Sequence, residues 1–308
     1  MSASTQHSHQ ALHAHLTQTF GNSVSFNAPM SAHTSWRVGG NAEVLFQPRD
    51  EDSLAAFVRI WPRELPLHWV GLGSNLLVRD KGVSGAVITT KKLPNDLVRE
   101  DALTVSASAG IPCTTLARQL VRWSLGPSEF FAGIPGSLGG ALTMNAGAHG
   151  HETWDVVQDV RMLDANGDIQ TREKDDFDVS YRTVTGQQGQ WFVGARLRFD
   201  PDYEPSAQHM QVLQDKRKLT QPLGLPSCGS VFRNPTGDHA ARLIETAGLK
   251  GTKIGGAEVS TKHANFIINT GGATASDIES LIEHVMQTVA DTHAVELRHE
   301  VRFLGVAA

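Results

Sequence analysis

The stretch AGIPGSLGGALTMNAG, residues 132–147, decides the fold prediction. It places several glycines among small, uncharged residues: Gly133, Gly136, Gly139 and Gly140. Glycine lets a ligand approach the backbone closely. We expect the run to expose successive backbone N–H groups, and such a row of donors binds anionic oxygens.

A second glycine-rich turn, VGLGSNLLV, lies upstream at residues 70–78. Either turn alone more often closes a loop, but two of them, each after a β-like stretch, predict a large phosphate-bearing cofactor. The cofactor is not bound in Rossmann fashion, because Leu76 stands where G-x-G-x-x-G requires its third glycine. The P-loop pattern G-x-x-x-x-G-K-[ST] is also absent from the sequence.

Both turns belong to a longer series of ordered blocks. In chain order these are TSWRVGGNAE (34–43), GLGSNLLVRDKGVSGAVI (71–88), AGIPGSLGGALTMNAGAHGHE (132–152), VSYR (179–182), PSCGSVFRNPTGDHAARLIETAGLKG (226–251), GGAEVSTKHANFIIN (255–269) and LRHEVRFLG (297–305). Together they resemble the bacterial UDP-N-acetylenolpyruvoylglucosamine reductase (MurB) family. The blocks follow the family's order and span nearly the whole chain after its N-terminal segment.

The resemblance implies an α+β fold, in which a two-part FAD-binding domain of the vanillyl-alcohol-oxidase type precedes a C-terminal α+β substrate domain. We expect an N-terminal tail at 1–25, FAD-binding subdomains at 26–90 and 91–200, and the substrate domain at 201–308. A composition shift at PDYEPS, residues 201–206, marks the last boundary.

The resemblance also implies the positions of the ligands. Non-covalent FAD is expected against the two turns, at Gly71, Gly73, Ser74, Asn75, Gly133, Gly136, Ser137 and Gly140. Substrate contacts are expected at Tyr181, Lys218 and Asn234. Only 47 residues separate Arg182 from Ser230, which is similar to the shorter subtype that lacks an inserted tyrosine loop.

Three residues are candidates for the chemistry. From the residues alone, Ser230 reads as a turn or cap serine, Glu300 as part of an exposed charged face, and Arg182 as a surface ion pair. The small and apolar flanks of Ser230 also allow a hydroxyl held on a rigid turn in a dry pocket. The resemblance implies that this hydroxyl protonates C2 of the substrate. Glu300 would lie beside the enolpyruvyl carboxylate, which requires that Glu300 be protonated or that a cation intervene. Arg182 supplies that cation, since guanidinium binds carboxylate through two parallel hydrogen bonds.

The implied activity is NADPH-dependent reduction of UDP-N-acetylglucosamine enolpyruvate to UDP-N-acetylmuramate in peptidoglycan precursor synthesis. Hydride passes from NADPH to C3 of the enol ether by way of the flavin, and negative charge develops at C2. Two alternatives remain open: an FAD-dependent oxidase of the same superfamily that uses dioxygen, and a non-catalytic protein that binds flavin or a nucleotide sugar.

Composition narrows the class of protein. A net charge of −5 without a basic tract argues against nucleic acid as a partner. No apolar run is long enough to span a membrane, and the N-terminus does not read as a secretory signal. Two cysteines, without closely spaced Cys/His sets, favour a reducing cytoplasm and exclude a disulfide framework and a zinc site. We expect a monomer whose N-terminal histidines lie on a solvated tail: His7, His9, His13 and His15.

Local patterns predict several elements. Asn166-Gly167 predicts a type I′ hairpin turn, and WFVGARLRF (191–199) predicts a strand with its odd-numbered residues on one face. Asp238 is a candidate cap for a helix that stops at Gly248.

A longer helix is predicted to open with a capping box made by Ser276 and Glu279. Its apolar residues recur with helical spacing and predict a buried stripe: Ile278, Leu281, Ile282, Val285, Met286 and Val289.

Overall fold

The computed structural model describes residues 3–307, with side chains from Gln10 onward. Its α-helices within that range are α1 (Ala3–Phe20), α2 (Glu51–Ile60), α3 (Cys113–Arg122), α4 (Leu138–Met144), α5 (Ala207–Thr220), α6 (Ala240–Thr246) and α7 (Ala275–His293). None of these helices has the length and apolar character needed to cross a membrane.

The N-terminal strands are β1 (Val24–Pro29), β2 (Asn41–Phe46), β3 (Leu67–Val70), β4 (Leu76–Val78) and β5 (Val83–Thr89). Four of them form a mixed sheet in the order β1-β2-β5-β3, with β5 parallel to both of its neighbours. Helices α1 and α2 pack on this sheet through a core in which the rings of Phe46 and Phe57 stack at 4.1 Å.

The middle strands are β6 (Leu97–Arg99), β7 (Thr104–Ser108), β8 (Gly147–Ala148), β9 (His151–Glu152), β10 (Val157–Leu163), β11 (Ile169–Glu173), β12 (Asp178–Ser180), β13 (Thr183–Thr185) and β14 (Trp191–Arg198). Five form an antiparallel sheet in the order β11-β10-β14-β7-β6. Helices α3 and α4 share a core with this sheet that includes Leu116, Leu142 and Leu197.

The C-terminal strands are β15 (Lys253–Ile254), β16 (Ala257–Val259), β17 (Ile267–Asn269) and β18 (Arg302–Leu304). They do not form an isolated unit, because β18 pairs in parallel with β4. The C-terminal core also takes in Trp36, whose indole N–H donates to the carbonyl of Ile267 at 2.7 Å. The chain's last strand therefore returns to the first glycine-rich turn.

The predicted hairpin forms, but the prediction of a type I′ turn is wrong. Strands β10 and β11 pair from Leu163↔Ile169, and Gly167 takes a φ of +78°. Asn166 does not have the positive φ that a type I′ turn requires. The Asp164 side chain instead accepts from the N–H groups of Asn166 and Asp168, which stabilises a longer loop with glycine in the left-handed position.

Strand β14 does not keep its odd-numbered residues on one face. Trp191 and Val193 pack in the core under α1 and α2, whereas Ala195 and Leu197 join Phe192 in the core with α3 and α4. The pairing with β10 shifts register between Arg161 and Met162, so the strand carries a bulge. A bulge inserts one residue and reverses the face that later side chains occupy.

Both predicted helix caps are displaced along the chain. Helix α6 has His239 at its N-cap, and Asp238 pairs with Arg242 and the His239 N–H. Helix α7 has Thr274 at its N-cap, with Asp277 completing the capping box.

Ser276 lies inside α7 and donates to the carboxylate of Asp80, which explains why it is not the cap. The predicted apolar stripe of α7 is confirmed, with Ile278, Leu281, Ile282, Val285 and Val289 buried and Met286 packed against them.

The expectation of a solvated N-terminal tail is also wrong for the side chains that the structure describes, which begin at Gln10. Leu16 is fully buried against the first sheet, with Leu12 and Phe20 packed beside it on the same face of α1. This spacing of four residues makes an amphipathic helix. The His13 ring stacks on Phe26 at 4.0 Å and His15 is exposed, while the side chains of His7 and His9 lie outside the described residues.

Candidate active site

A cavity of about 550 Å³ lies where the three parts of the chain meet. Its lining includes both glycine-rich turns, together with Tyr181, Arg182, Ser230, Asn234 and Glu300. Residues separated by more than two hundred positions in the sequence therefore share one site.

The first glycine-rich turn follows β3 and lines the same cavity as the second. A Cβ added at Gly71 would lie 2.7 Å from Ser137 Oγ, so the two turns are in direct contact there. At Gly73, with φ +71°, a Cβ would lie 1.9 Å from the His33 carbonyl oxygen, which excludes any side chain. Asn75 connects this turn to the C-terminal segment before β18, since its side-chain amide donates to the Glu300 carbonyl at 3.1 Å.

The second turn runs into α4, and its N–H groups are not all free. The N–H of Leu138 donates to Ile111 O at 2.9 Å, and that of Gly139 donates to Ala109 O at 2.8 Å. The expectation of a continuous row of exposed donors is therefore wrong at these positions, because the helix start is bonded to the strand–helix connection before α3. Gly139 serves packing instead, as a Cβ there would lie 2.9 Å from the Ala109 Cβ.

Ser137 supplies an unused polar group between the turns. It is 1 % exposed, and its Oγ has no hydrogen-bond partner among the described residues. A buried hydroxyl without a partner is costly, so the site suits a ligand oxygen at this point. Gly136 leaves open space beside it, where an added Cβ would meet only Ser74 Oγ, at 3.2 Å. These features fit a phosphate-bearing cofactor held by the two turns.

Arg182 lies in the tight turn between β12 and β13 and has an unusual backbone. Its φ is +56°, a conformation that side-chain-bearing residues rarely adopt. The side chain is 16 % exposed, and Nε lies 3.2 Å from Glu300 Oε1. The guanidinium also donates to the carbonyls of Asn145 at 3.1 Å and Gly147 at 3.0 Å. Its Cζ lies over the Tyr181 ring, 4.9 Å from the ring centroid.

Glu300 is a buried carboxyl with competing influences on its proton. Burial raises the pKa of Glu300, while the positive charges of Arg182 and Arg233 lower it; burial is the stronger effect, so the pKa lies above its usual range. The odd-numbered neighbours Leu297 and Val301 are buried in the core as the alternation predicted. The even-numbered side of this segment, expected as a charged surface face, turns Glu300 into the cavity.

Ser230 lies on a segment held from both sides. The N–H of Val231 donates to Asn265 O at 2.9 Å, and Val231 O accepts from the Glu300 N–H at 2.7 Å. The Asn265 side chain also bonds both the N–H and the carbonyl of Phe232, each at 2.8 Å. The expectation of a rigid backbone is met, and Ser230 opens into the cavity. A dry environment around its hydroxyl stays a prediction.

Two of the three predicted substrate contacts line the cavity and the third does not. Tyr181 and Asn234 line the cavity, and Asn234 Oδ1 also accepts from the Ala240 N–H at the start of α6. Lys218 does not line it: the side chain is 62 % exposed and pairs with Asp215.

The cavity cation of α5 is Arg217, one residue earlier, and sequence reasoning missed it. Burial lowers its pKa. Its guanidinium donates to neutral groups: Nη1 donates to Ala132 O at 3.0 Å and Nε donates to Gln221 Oε1 at 3.2 Å. Neighbouring helical residues point about 100° apart, so only one of these two cations faces the site.

Comparison with known proteins agrees with this geometry. The family model for the C-terminal domain of UDP-N-acetylenolpyruvoylglucosamine reductase matches residues 221–304, and an FAD binding domain model matches residues 42–172. The reductase of that name from Alkalilimnicola ehrlichii is 53 % identical over 280 residues, covering 91 % of this chain and 94 % of its own. The chain belongs to the UDP-N-acetylenolpyruvoylglucosamine reductase family.

Other relatives extend the match. The reductase of the same name from Legionella pneumophila strain Paris is 47 % identical over 296 residues, covering 96 % of this chain and 97 % of its own. The crystal structure of the reductase (MurB) from Thermus caldophilus superposes with a TM-score of 0.76 at 30 % identity, covering 90 % of this chain and 98 % of that one. The expected fold class, an FAD-binding domain followed by a C-terminal α+β domain, is confirmed.

Proposed function

We propose that this protein uses NADPH to reduce UDP-N-acetylglucosamine enolpyruvate to UDP-N-acetylmuramate, with FAD as a non-covalent cofactor. The observation that carries the proposal is the single cavity that joins two glycine-rich turns to Ser230, Arg182 and Glu300. Membership of the reductase family supports the choice of substrate.

The turns supply the residues that would hold FAD: Gly71, Gly73, Ser74, Asn75, Gly133, Gly136, Ser137 and Gly140. The unpartnered Ser137 hydroxyl and the space above Gly136 fit a ligand with anionic oxygens. When bound, FAD supplies two-electron chemistry, taking hydride equivalents from NADPH and making them available to C3 of the enol ether.

Arg182 and Glu300 bind the enolpyruvyl carboxylate in this scheme. Burial keeps the pKa of Glu300 raised, so a protonated Glu300 donates a hydrogen bond to the carboxylate instead of repelling it. Arg182 places a fixed positive charge where negative charge develops as C3 gains hydride.

Ser230 then donates its proton to C2, so that one hydride and one proton convert the C2=C3 bond into a saturated lactyl ether. The hydroxyl is a weak acid in water, but the carbanion at C2 is a very strong base. Bonds on both sides of the segment keep the Ser230 backbone in place. The resulting alkoxide regains a proton from the open cleft.

Tyr181, Asn234 and Arg217 line the remainder of the cavity and would contact the nucleotide sugar. We include Arg217 in place of Lys218, since Arg217 lines the cavity and its guanidinium donates to the neutral oxygens of Ala132 and Gln221. The domain boundaries 1–25, 26–90, 91–200 and 201–308 remain part of the proposal, as do a monomeric state and a cytoplasmic location. The location is supported by Cys113 and Cys228, which are both free and buried.

An anaerobic titration of the purified holoprotein tests the proposal. NADPH should bleach the yellow flavin, and the colour should return only when the enol substrate is added. Return of colour with dioxygen but not with the enol substrate would indicate an oxidase. A flavin that NADPH does not bleach would indicate a non-catalytic binding protein.

A further inference from the structure

The guanidinium of Arg182 contacts a second carboxylate besides Glu300. Its Nη1 lies 3.5 Å from Glu152 Oε1, while Nε lies 3.2 Å from Glu300 Oε1. The side chains of Glu152 and Glu300 are 32 % and 14 % exposed, so both pairs are partly shielded from water. One cation therefore lies between two carboxyl groups.

Glu152 is held in this position by bonds of its own. Its Oε2 accepts from the Asn145 side-chain amide at 2.6 Å, and its backbone N–H donates to Asp155 at 2.8 Å. Glu152 pairs with Gly147 across β8 and β9. A Cβ at Gly147 would come within 2.9 Å of the Glu152 Cγ, so the absence of a side chain there leaves room for the carboxylate arm.

Asn145 links Glu152 to Arg182. It is 2 % exposed and caps the C-terminus of α4 with a φ of +46°. Its carbonyl accepts from Arg182 Nη1, and its side-chain amide also donates to Ser180 O at 3.3 Å, at the base of the Arg182 turn. The Trp154 N–H donates to its Oδ1 at 3.1 Å, which fixes the amide orientation.

These bonds explain how an arginine can occupy the left-handed region. Such backbone strain persists only when the surrounding structure holds the residue in place, and it concentrates at functional sites. Here the carbonyls of Asn145 and Gly147 and the carboxylates of Glu152 and Glu300 contact the guanidinium. Helix α4 thus has the cofactor turn at its N-terminus and the Arg182 support at its C-terminus.

We propose that Glu152, oriented by Asn145, is a positioning residue that fixes Arg182 for the substrate carboxylate and offsets part of its positive charge. The inference rests on the proposed function, since the bound group is the carboxylate of the enol substrate. Glu152 acts through Arg182 and is not placed against the reacting atoms.

The charged groups around Glu152 and Glu300 determine in which direction the pKa of Glu300 moves when Glu152 loses its charge. Glu300 faces the positive charges of Arg182 and Arg233, which lower its pKa against the effect of burial. Glu152 faces Arg182, with His151 preceding it in β9 and Asp155 bonded to its N–H. Removing the Glu152 charge leaves Arg182 paired with Glu300 alone, so the pKa of Glu300 should fall below its value in the parent enzyme.

Glu152→Gln tests this in the FAD-loaded enzyme. Glutamine keeps the shape of the side chain and removes its charge. Asp178→Asn is the matched control, because it removes an exposed charge from β12–β13, the hairpin that carries Arg182. The measurements are the enol half-reaction rate and the affinity of the oxidised enzyme for the enol substrate, read from the flavin spectrum, each from pH 5 to 9.

In Glu152→Gln we expect affinity and rate to decline at a lower pH than in the parent enzyme. Asp178→Asn should follow the parent profile. An unmoved profile in Glu152→Gln overturns the inference, whereas a parent enzyme that does not react with the enol substrate overturns the proposed function instead.

If the glutamine variant does not retain FAD, Glu152→Asp tests the positioning role of Glu152 instead. Aspartate keeps the charge but shortens the arm, so we expect weaker substrate binding with the decline at the parental pH. Parental affinity in that variant would show that Arg182 does not need a carboxylate at this distance.

Discussion

Arg182 Nε lies 3.2 Å from Glu300 Oε1, although 118 positions separate the two residues in the sequence. The β12–β13 turn presents the arginine, and the segment before β18 presents the glutamate. Because β18 pairs with β4 immediately after the first glycine-rich turn, the same pairing sets Glu300 beside Asn75. The Arg182–Glu300 contact and the cofactor turn are thus positioned by one strand pairing.

The raised pKa of Glu300 predicts a pH dependence for the enol half-reaction. Protonated Glu300 is the binding form, so the rate should be constant at low pH and fall as the pH rises through the raised pKa. Glu300→Gln mimics the neutral form and should remove this decline. Rapid mixing of reduced enzyme with the enol substrate across pH measures the profile. A decline that persists unchanged in Glu300→Gln would assign it to another group.

The same shift affects stability. A carboxyl whose pKa is higher in the folded state binds its proton more tightly there, so its favourable contribution is complete below the unfolded pKa. It is lost as the pH rises through the folded pKa. The melting temperature of Glu300→Gln should therefore depend less on pH than that of the parent above the usual glutamate range.

Arg182→Lys should bind FAD normally and slow the enol half-reaction by about 10²-fold, the scale for losing one preorganised donor at developing charge. An ammonium does not reproduce the bidentate geometry of guanidinium. Arg172→Lys is the control, because Arg172 stacks on Phe177 near the same hairpin and does not line the cavity. A parental rate in Arg182→Lys would make Arg182 an ordinary ion-pair residue.

Gly136 offers a graded test of the cofactor site. Its added Cβ would meet only Ser74 Oγ at 3.2 Å, so the protein itself tolerates a small side chain there. Gly136→Ala should weaken FAD binding, and Gly136→Val should abolish it in a folded protein. Flavin absorbance per chain measures occupancy, and circular dichroism checks folding. Full occupancy in Gly136→Val would place the cofactor elsewhere.

Arg217 and Lys218 are adjacent cations with different surroundings. Arg217→Gln should raise the KM for the nucleotide-sugar substrate about 10- to 100-fold, since a charged hydrogen bond contributes about 1.5–3 kcal/mol. Lys218→Gln should have little effect, because its side chain pairs with Asp215 in solvent. Steady-state kinetics of both variants check this. The opposite ranking would restore Lys218 as the substrate contact.

Local patterns in the sequence predicted which helices and strands form. They were less successful for the residues that cap the helices and for the face on which strand side chains lie. The stripe of α7 was correct because six apolar residues repeat with one period. The β14 face was wrong because a bulge reverses alternation, and nothing local in WFVGARLRF marks the inserted residue. The caps of α6 and α7 were displaced because several residues near each start could cap, and long-range partners such as Asp80 decide between them.

The active-site residues came from the resemblance, which aligned motifs but not side-chain directions. It therefore placed Ser230, Arg182 and Glu300 in one site, yet chose Lys218 where the helix turns Arg217 inward. Asn145, Glu152 and Asn265 were missed, because their roles consist of contacts with segments far along the chain. The available signal was their position, because Asn145 and Glu152 lie in the block 132–152 and Asn265 lies in the block 255–269.

The central claim is that Ser230 acts only after hydride reaches the substrate. Ser230→Ala removes one oxygen from a segment whose backbone bonds run through Asn265 and Glu300, so folding and FAD binding should survive. Stopped-flow absorbance of the flavin follows each half-reaction separately. Reduction by NADPH should keep its parental rate, while reoxidation by the enol substrate should slow by about 10²-fold or more, the scale for losing a positioned general acid. Ser230→Cys should retain part of that second rate. Equal slowing of both steps in Ser230→Ala, or a parental second step, would contradict the account.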